Sequence, residues 1–180
     1  MSRIDESKPF IPVRIAVMTV SDTRTLEDDR SGDTLVERLT TDGHVLAGRV
    51  IVADERDLIA QQLRLWIEDD GVDVILSTGG TGLTGRDVTV EAHRDVYEKE
   101  IEAFATVFTM VSMQKIGTSA VQSRATGGVA GGTYLFALPG STGACKDAWD
   151  EILHWQLDFR HRPCNFVEIM PRLDEHLRRK

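Results

Sequence analysis

With 180 residues, 41% of them hydrophobic and 28% charged, the chain has the make-up of one ordinary globular domain with room for a proper core. A formal net charge of −8 speaks against a general nucleic-acid binder, which needs a basic field, and no run of about 18 apolar residues marks a membrane span. Cys145 and Cys164 are too few for a disulfide framework, and the polar start Met1–Lys8 lacks the apolar stretch of a secretory signal, so a cytoplasmic location is expected.

Residues 1–12 read as a loose N-terminal arm ending in Pro9-Phe10-Ile11-Pro12, residues 13–170 as a single domain, and 171–180 as a tail. Arg14 to Val20 is a buried strand, followed by Ser21-Asp22-Thr23 and a charged stretch through Arg30. Ser31 is placed to cap a helix that runs to Asp42 and stops at Gly43. Val45 to Val52 supplies a second strand, interrupted by Gly48. Asp54 is placed to cap the next helix, where Ile59, Leu63, Trp66 and Ile67 form one apolar stripe before Gly71.

Asp73 to Thr78 is a third strand, and it stops in the turn Gly79-Gly80-Thr81-Gly82. Thr89 opens a helix through Tyr97 and fills its cap position. Residues 100–114 form a longer helix with Ile101, Phe104, Val107, Phe108 and Val111 on more than one side, a pattern that fits either a subunit interface or simple core. The glycine-dense Gly127–Gly132 is explained by turn and hairpin formation. Thr133 to Leu138 is another strand, ending in Pro139-Gly140-Ser141 before a helix over 142–158 that carries Cys145, Trp149, Ile152, Leu153 and Gln156 on one stripe. Strands alternating with helices imply a parallel sheet covered on both faces, with ligands held at the carboxyl ends of the strands. Ser21-Asp22, Asp54, Thr78–Asp87 and Pro139–Thr142 all fall at that edge.

The glycine turn is neither the nucleotide P-loop, since no Gly-Lys-Ser/Thr follows, nor the dinucleotide fingerprint. Free backbone N–H groups beside the hydroxyls of Thr78 and Thr81 suit a phosphate or a polar heterocycle. Asp87 makes sense beside such a loop if Mg²⁺ sits between carboxylate and phosphate, or if the acid holds an N–H-rich heterocycle. By position alone Asp54, like Asp57, reads as a helix-start residue. Arg124 in Ser123-Arg124 offers a planar fork to phosphate. The histidines show no metal-ligand spacing, Cys145 reads as core, and Cys164 as a buried turn residue.

Taken together, Thr19-Val20-Ser21-Asp22, Ser31-Gly32, Thr78-Gly79-Gly80-Thr81-Gly82, Arg86-Asp87-Val88-Thr89, Gln122-Ser123-Arg124-Ala125, Leu138-Pro139-Gly140-Ser141-Thr142 and Arg162-Pro163-Cys164-Asn165-Phe166 resemble the MoaB/MogA family of molybdenum cofactor biosynthesis proteins, closest to the MoaB branch. The resemblance implies a three-layer α/β/α sandwich with a mostly parallel sheet, assembled as a homo-oligomer (trimer or hexamer). It implies Mg²⁺-dependent adenylylation of molybdopterin by ATP with release of pyrophosphate. Carried over by residue, Asp54 and Asp87 become catalytic and Mg²⁺-binding candidates. Thr78, Gly79, Gly80, Thr81 and Gly82 would bind phosphate and nucleotide. Ser21, Asp22, Ser123, Arg124, Pro139, Gly140 and Ser141 would line the pterin and nucleotide pocket. The acid kept at Asp54 favours catalysis, since some MoaB-type members lack it and are inactive paralogues. Gly143 stands where relatives often carry Pro or Lys, which removes a lysine from that point. The alternatives are a non-catalytic molybdopterin carrier and a scaffold that clusters cofactor enzymes, as kinship with gephyrin suggests.

Overall fold

The computed structural model describes residues 3–178. Its first strand, β1 (Arg3–Ile4), pairs antiparallel with β8 (His161–Arg162). The stretch expected as a loose arm is therefore tied to the far end of the chain, and Asp5 N–H adds a hydrogen bond to the Arg160 carbonyl. Next come β2 (Arg14–Val20), α1 (Arg30–Thr41), β3 (Val45–Val52), α2 (Arg56–Ile67) and β4 (Val74–Thr78). They are followed by α3 (Thr89–Arg94), β5 (Lys99–Glu100), α4 (Glu102–Ile116) and a 3₁₀ turn over Gly117–Gln122. A hairpin of β6 (Thr126–Ala130) and β7 (Thr133–Leu138) precedes α5 (Thr142–Ala148), a π turn over Trp149–Leu153 and α6 (His154–Gln156). After β8 the chain closes with α7 (Phe166–Ile169) and α8 (Glu175–Arg178).

The main sheet has the order β3-β2-β4-β7-β6-β5. The first four strands run parallel, and β6 is antiparallel to both its neighbours. Alternation along the strands feeds two cores. Ile15 and Val17, Val74 and Leu76, and Tyr134, Phe136 and Leu138 face α1, α4, α5 and the π turn that follows it, where Leu35, Leu39, Phe104, Phe108 and Trp149 meet them. Ala16, Met18 and Val20, Ile75, and Leu135 face α2 and α3, against Ile59, Leu63 and Ala92. Each large aliphatic side chain so buried contributes about 1.5–3 kcal/mol. Two apolar layers on a largely parallel sheet make the three-layer α/β/α sandwich expected from the sequence. Gly48 sits where the β2–β3 register slips between Ile15 and Ala16, which accounts for the break in that strand's pattern.

Several local expectations change. Helix α1 is capped by Asp29, not Ser31: the Asp29 carboxylate accepts from Gly32 N–H at 3.0 Å. Helix α2 starts after Glu55, so Asp54 is not its cap. Thr89 is the first helical residue of α3 rather than its cap, and the helix stops at Arg94. Gly127 and Gly128 lie inside β6. There the Tyr97 ring packs so closely on Gly128 that a Cβ has no room. Only Gly131-Gly132 make the hairpin turn. Cys145 is core as expected, its thiol pushed up to about 11 by burial, whereas Cys164 is exposed rather than buried. Helix α4 buries Phe104, Phe108 and Ser112 but leaves Val107, Met110, Met113 and Ile116 exposed, so one of its two apolar faces lacks cover among the described residues.

Below the sheet's carboxyl edge lies a polar trio, His93, Ser77 and Tyr97, that the sequence did not announce. His93 is fully buried; its Nε2 lies 2.8 Å from Ser77 Oγ and its Nδ1 3.1 Å from the Tyr97 hydroxyl. Burial pushes its pKa down to about 3. The folded state thus holds His93 neutral where the unfolded chain protonates it, so stability falls as pH drops below about 6.5, by ~1.4 kcal/mol per pH unit. His93→Gln, which keeps a hydrogen-bonding side chain but cannot titrate, is expected to flatten the pH dependence of the urea midpoint between pH 6 and pH 4.5. An unchanged slope would show that His93 charges freely in the fold.

Candidate functional site

Parallel pairing in register brings the strand tips together. Val20 pairs with Val52, Thr19 with Thr78, and Thr78 with Leu138, so β2, β3, β4 and β7 end side by side. The segments that leave these tips surround a cleft of about 580 Å³. Its walls are Val20, Ser21, Thr23 and Arg24 after β2, Asp54 after β3, Gly79–Gly82 and Asp87 after β4, Gln122–Arg124 before β6, and Pro139–Ser141 after β7.

Backbone geometry fixes the glycine turn in place. Gly79 has φ 99°, and a Cβ there would strike the Val20 carbonyl oxygen. The turn is bolted inward: Thr89 Oγ1 donates to the Gly79 carbonyl at 2.8 Å, and Thr89 N–H to the Gly80 carbonyl at 2.9 Å. With those carbonyls occupied, the N–H groups of Gly80 and Thr81 find no protein acceptor among the described residues. Two unpaired donors at the head of a cleft suit an anionic oxygen.

The acids divide into two kinds. Asp54 exchanges hydrogen bonds with Asp22: Asp22 N–H donates to Asp54 Oδ2 at 3.1 Å, and Asp54 N–H to Asp22 Oδ1 at 3.0 Å. Asp54 Oδ1 accepts no hydrogen bond among the described residues and packs on Gly80, where a Cβ would come within 2.7 Å of it. Burial, and then the neighbouring Asp22 and Asp87 carboxylates, raise Asp54 above the ordinary carboxylate range. Asp87 is the opposite case. Thr84 Oγ1 and N–H donate to its Oδ2 at 2.7 and 2.8 Å and hold it below that range. Asp22 is held low by the Arg86 guanidinium, 2.6 Å away.

Among the described residues no group of three His, Cys, Asp or Glu could hold a metal unaided. The donor set still fits Mg²⁺ shared with a ligand, since that ion takes one or two carboxylates and completes its shell with phosphate oxygens and water. An Asp54 oxygen without a donor, on a carboxylate crowded by two others, is what a cation would relieve.

Of the residues expected from the sequence, all but two line the cleft. Thr78 is fully buried, and its hydroxyl donates to the Pro139 carbonyl at 3.0 Å, so it fastens β4 to β7 rather than reaching a ligand. Asp22 stands behind Asp54, clasped to Arg86. Arg124 reaches the cleft with its fork engaged: Nη1 donates to the Gly82 carbonyl at 3.0 Å, and Nη2 pairs with Glu91. Ser141 caps α5, accepting from Ala144 N–H at 3.2 Å, and Ser21 Oγ accepts from the N–H groups of Thr23 and Arg24. Sequence reasoning missed Val20, Thr23, Arg24 and Gln122. Gln122 stood inside a recognised motif, but nothing in the charged stretch after Ser21 marked Arg24. An apolar depression of about 570 Å³ lined by Phe104, Val107, Trp155 and Phe166 has none of these groups and continues the open face of α4.

Fold and cleft together define an α/β domain with a polar cleft at the carboxyl edge of its sheet. Residues 16–158 match the family described as the probable molybdopterin binding domain, and the chain belongs to that family, in its MoaB/MogA group. It is 49% identical over 160 residues to molybdenum cofactor biosynthesis protein B of Escherichia coli (strain K12), covering 89% of this chain and 94% of that one. A crystal structure of a molybdenum cofactor biosynthesis protein B superposes with a TM-score of 0.80 at 36% identity, covering 96% of this chain and 100% of that one. The tungsten cofactor synthesizing protein MoaB from Pyrococcus furiosus gives 0.71 at 33% identity, over 79% and 91% of the two chains.

Proposed function

We propose that this protein acts in molybdenum cofactor biosynthesis as a Mg²⁺-dependent adenylyltransferase that transfers AMP from ATP to molybdopterin. The observation that carries the reading is Asp54, an acid released from helix capping, with an unpaired oxygen directed at the glycine turn. A carrier would gain nothing from crowding carboxylates around a phosphate cradle.

In this reaction an oxygen of the pterin's terminal phosphate attacks the α-phosphorus of ATP. The bond from that phosphorus to the bridging oxygen breaks, and pyrophosphate leaves with the bonding pair. Two anions must meet, so positioning and charge stabilisation supply most of the rate. The Gly80 and Thr81 N–H groups hold phosphate oxygen. Asp54 and Asp87 are the residues that would hold Mg²⁺, which supplies neutralising charge to the phosphates. No covalent intermediate on the protein is needed, in keeping with Cys145 locked in the core. The uncovered face of α4 is the surface on which a trimer or hexamer would assemble, and it leads directly through residues 117–122 to the cleft wall at Ser123 and Arg124.

The test is incubation with molybdopterin, ATP and Mg²⁺, followed by chromatography for adenylylated pterin and an assay for pyrophosphate. Both products are expected in equal amounts. Tight pterin binding with neither product would replace this reading with the carrier.

A further inference from the structure

We propose that Arg24 is a direct contact for the phosphomonoester dianion of the pterin substrate, with Asp29 and Ser31 as the residues that position it. The inference rests on the proposed function only in taking a phosphorylated pterin as the ligand.

Three arginines stand near the cleft, and their charges are not equally available. Arg86 is consumed by Asp22 at 2.6 Å and does not line the cleft. Arg124 pairs with Glu91 in direct contact and holds the Gly82 carbonyl. Arg24 is different. Its nearest carboxylate, Asp29, lies 3.8 Å away and already carries Arg49 at 3.0 Å. Asp29 is fully buried. Burial works against its charge, but hydrogen bonds from Thr19 Oγ1, Gly32 N–H and Arg49 outweigh that cost and keep it ionised. It is a fixed negative anchor that shares Arg49 with Asp33 at 2.8 Å and takes no hydrogen bond from Arg24, so the donors of that guanidinium are not spent on it.

Two hydrogen bonds aim the Arg24 guanidinium. Nη1 donates to Ser31 Oγ at 2.7 Å and Nη2 to the Gly140 carbonyl at 3.3 Å. A guanidinium carries five N–H donors. The remainder find no acceptor among the described residues, and the side chain lines the cleft beside Ser21 and Ser141. A planar fork held in place, with donors to spare, is suited to bidentate contact with phosphate oxygens. Gly140, which accepts from Arg24, packs on Gly79, so this fork and the free N–H groups of Gly80 and Thr81 line one cleft and offer their donors to the same anion.

The experiment is calorimetric titration without ATP, using molybdopterin and its dephosphorylated form as the two probes. Arg24→Gln is expected to weaken molybdopterin binding about tenfold or more and dephospho-pterin binding less than about twofold, the scale of one charge-assisted phosphate contact. Arg24→Lys, which keeps the charge and loses the fork, should fall between, and Ser31→Ala should show the same preference more weakly. Equal losses for both probes, or no loss, would overturn the assignment. None of these readouts depends on turnover, so a chain that binds but does not adenylylate would sink the proposed reaction and leave Arg24 in place. A wild-type protein that binds neither probe would overturn both.

Discussion

Asp54→Asn is expected to cut the adenylylation rate by about a hundred- to a thousand-fold, the scale seen when one essential charge-stabilising group is lost. The fold should not suffer. Asparagine keeps an oxygen for the Asp22 N–H, and removing the charge ends the repulsion from Asp22 and Asp87. The folded state raises the Asp54 pKa, so whatever stability this group supplies is present at low pH and lost as pH rises through the folded pKa. At neutral pH the variant should therefore melt at the same temperature as wild type or above it. Sites that trade stability for activity behave in this way. Asp87→Asn should differ. Its pKa is lowered, its contribution is present at neutral pH, and its carboxylate holds the Thr84 turn, so both activity and melting temperature should fall. An Asp54→Asn enzyme at full rate would reduce that residue to a strut between two loops.

Gly79→Ala should cost about 3 kcal/mol, from a strained backbone at φ 99° and a methyl group driven onto the Val20 carbonyl. For a chain of this size that lowers the melting temperature by about 6–12 °C. The same change pushes β4 from β2 at the tip where the cleft opens, so pterin affinity should fall with it. Scanning calorimetry and titration with molybdopterin read the two effects. A melting temperature within a degree of wild type would mean that the turn relaxes, and that its rigidity is not what forms the cradle.

Much of the architecture was legible from residue pattern. Arg14–Val20, Val45–Val52 and Thr133–Leu138 are strands at the bounds expected: burial on both faces leaves an almost unbroken apolar run in the first and third, and in the edge strand Val45–Val52 the β-branched Val45, Val50, Ile51 and Val52 mark it although none of its residues is buried. Helix starts were less legible. Ser31, Asp54 and Thr89 are all good capping residues, yet Asp29 takes the first role, and Asp54 and Thr89 leave the cap for the cleft and the glycine turn. Capping preference is a local energy of about 1 kcal/mol, and tertiary hydrogen bonds of similar size override it.

The candidate site divides in the same way. That four strand tips would supply it followed from the order of strands and turns, since parallel strands place all their carboxyl ends at one edge. Which side chains face a ligand did not follow. Thr78 was expected to donate to one and is spent on Pro139, while Arg24, lost in a charged loop, reaches the cleft by way of Ser31 and Gly140. Sequence alone determined the layering, the strand tips and the family, because these rest on burial periodicity and on motifs contiguous in the chain. Only the tertiary structure decided which donors and charges remain unspent, because that depends on partners as distant as Gly140 from Arg24, met only once the sheet has formed.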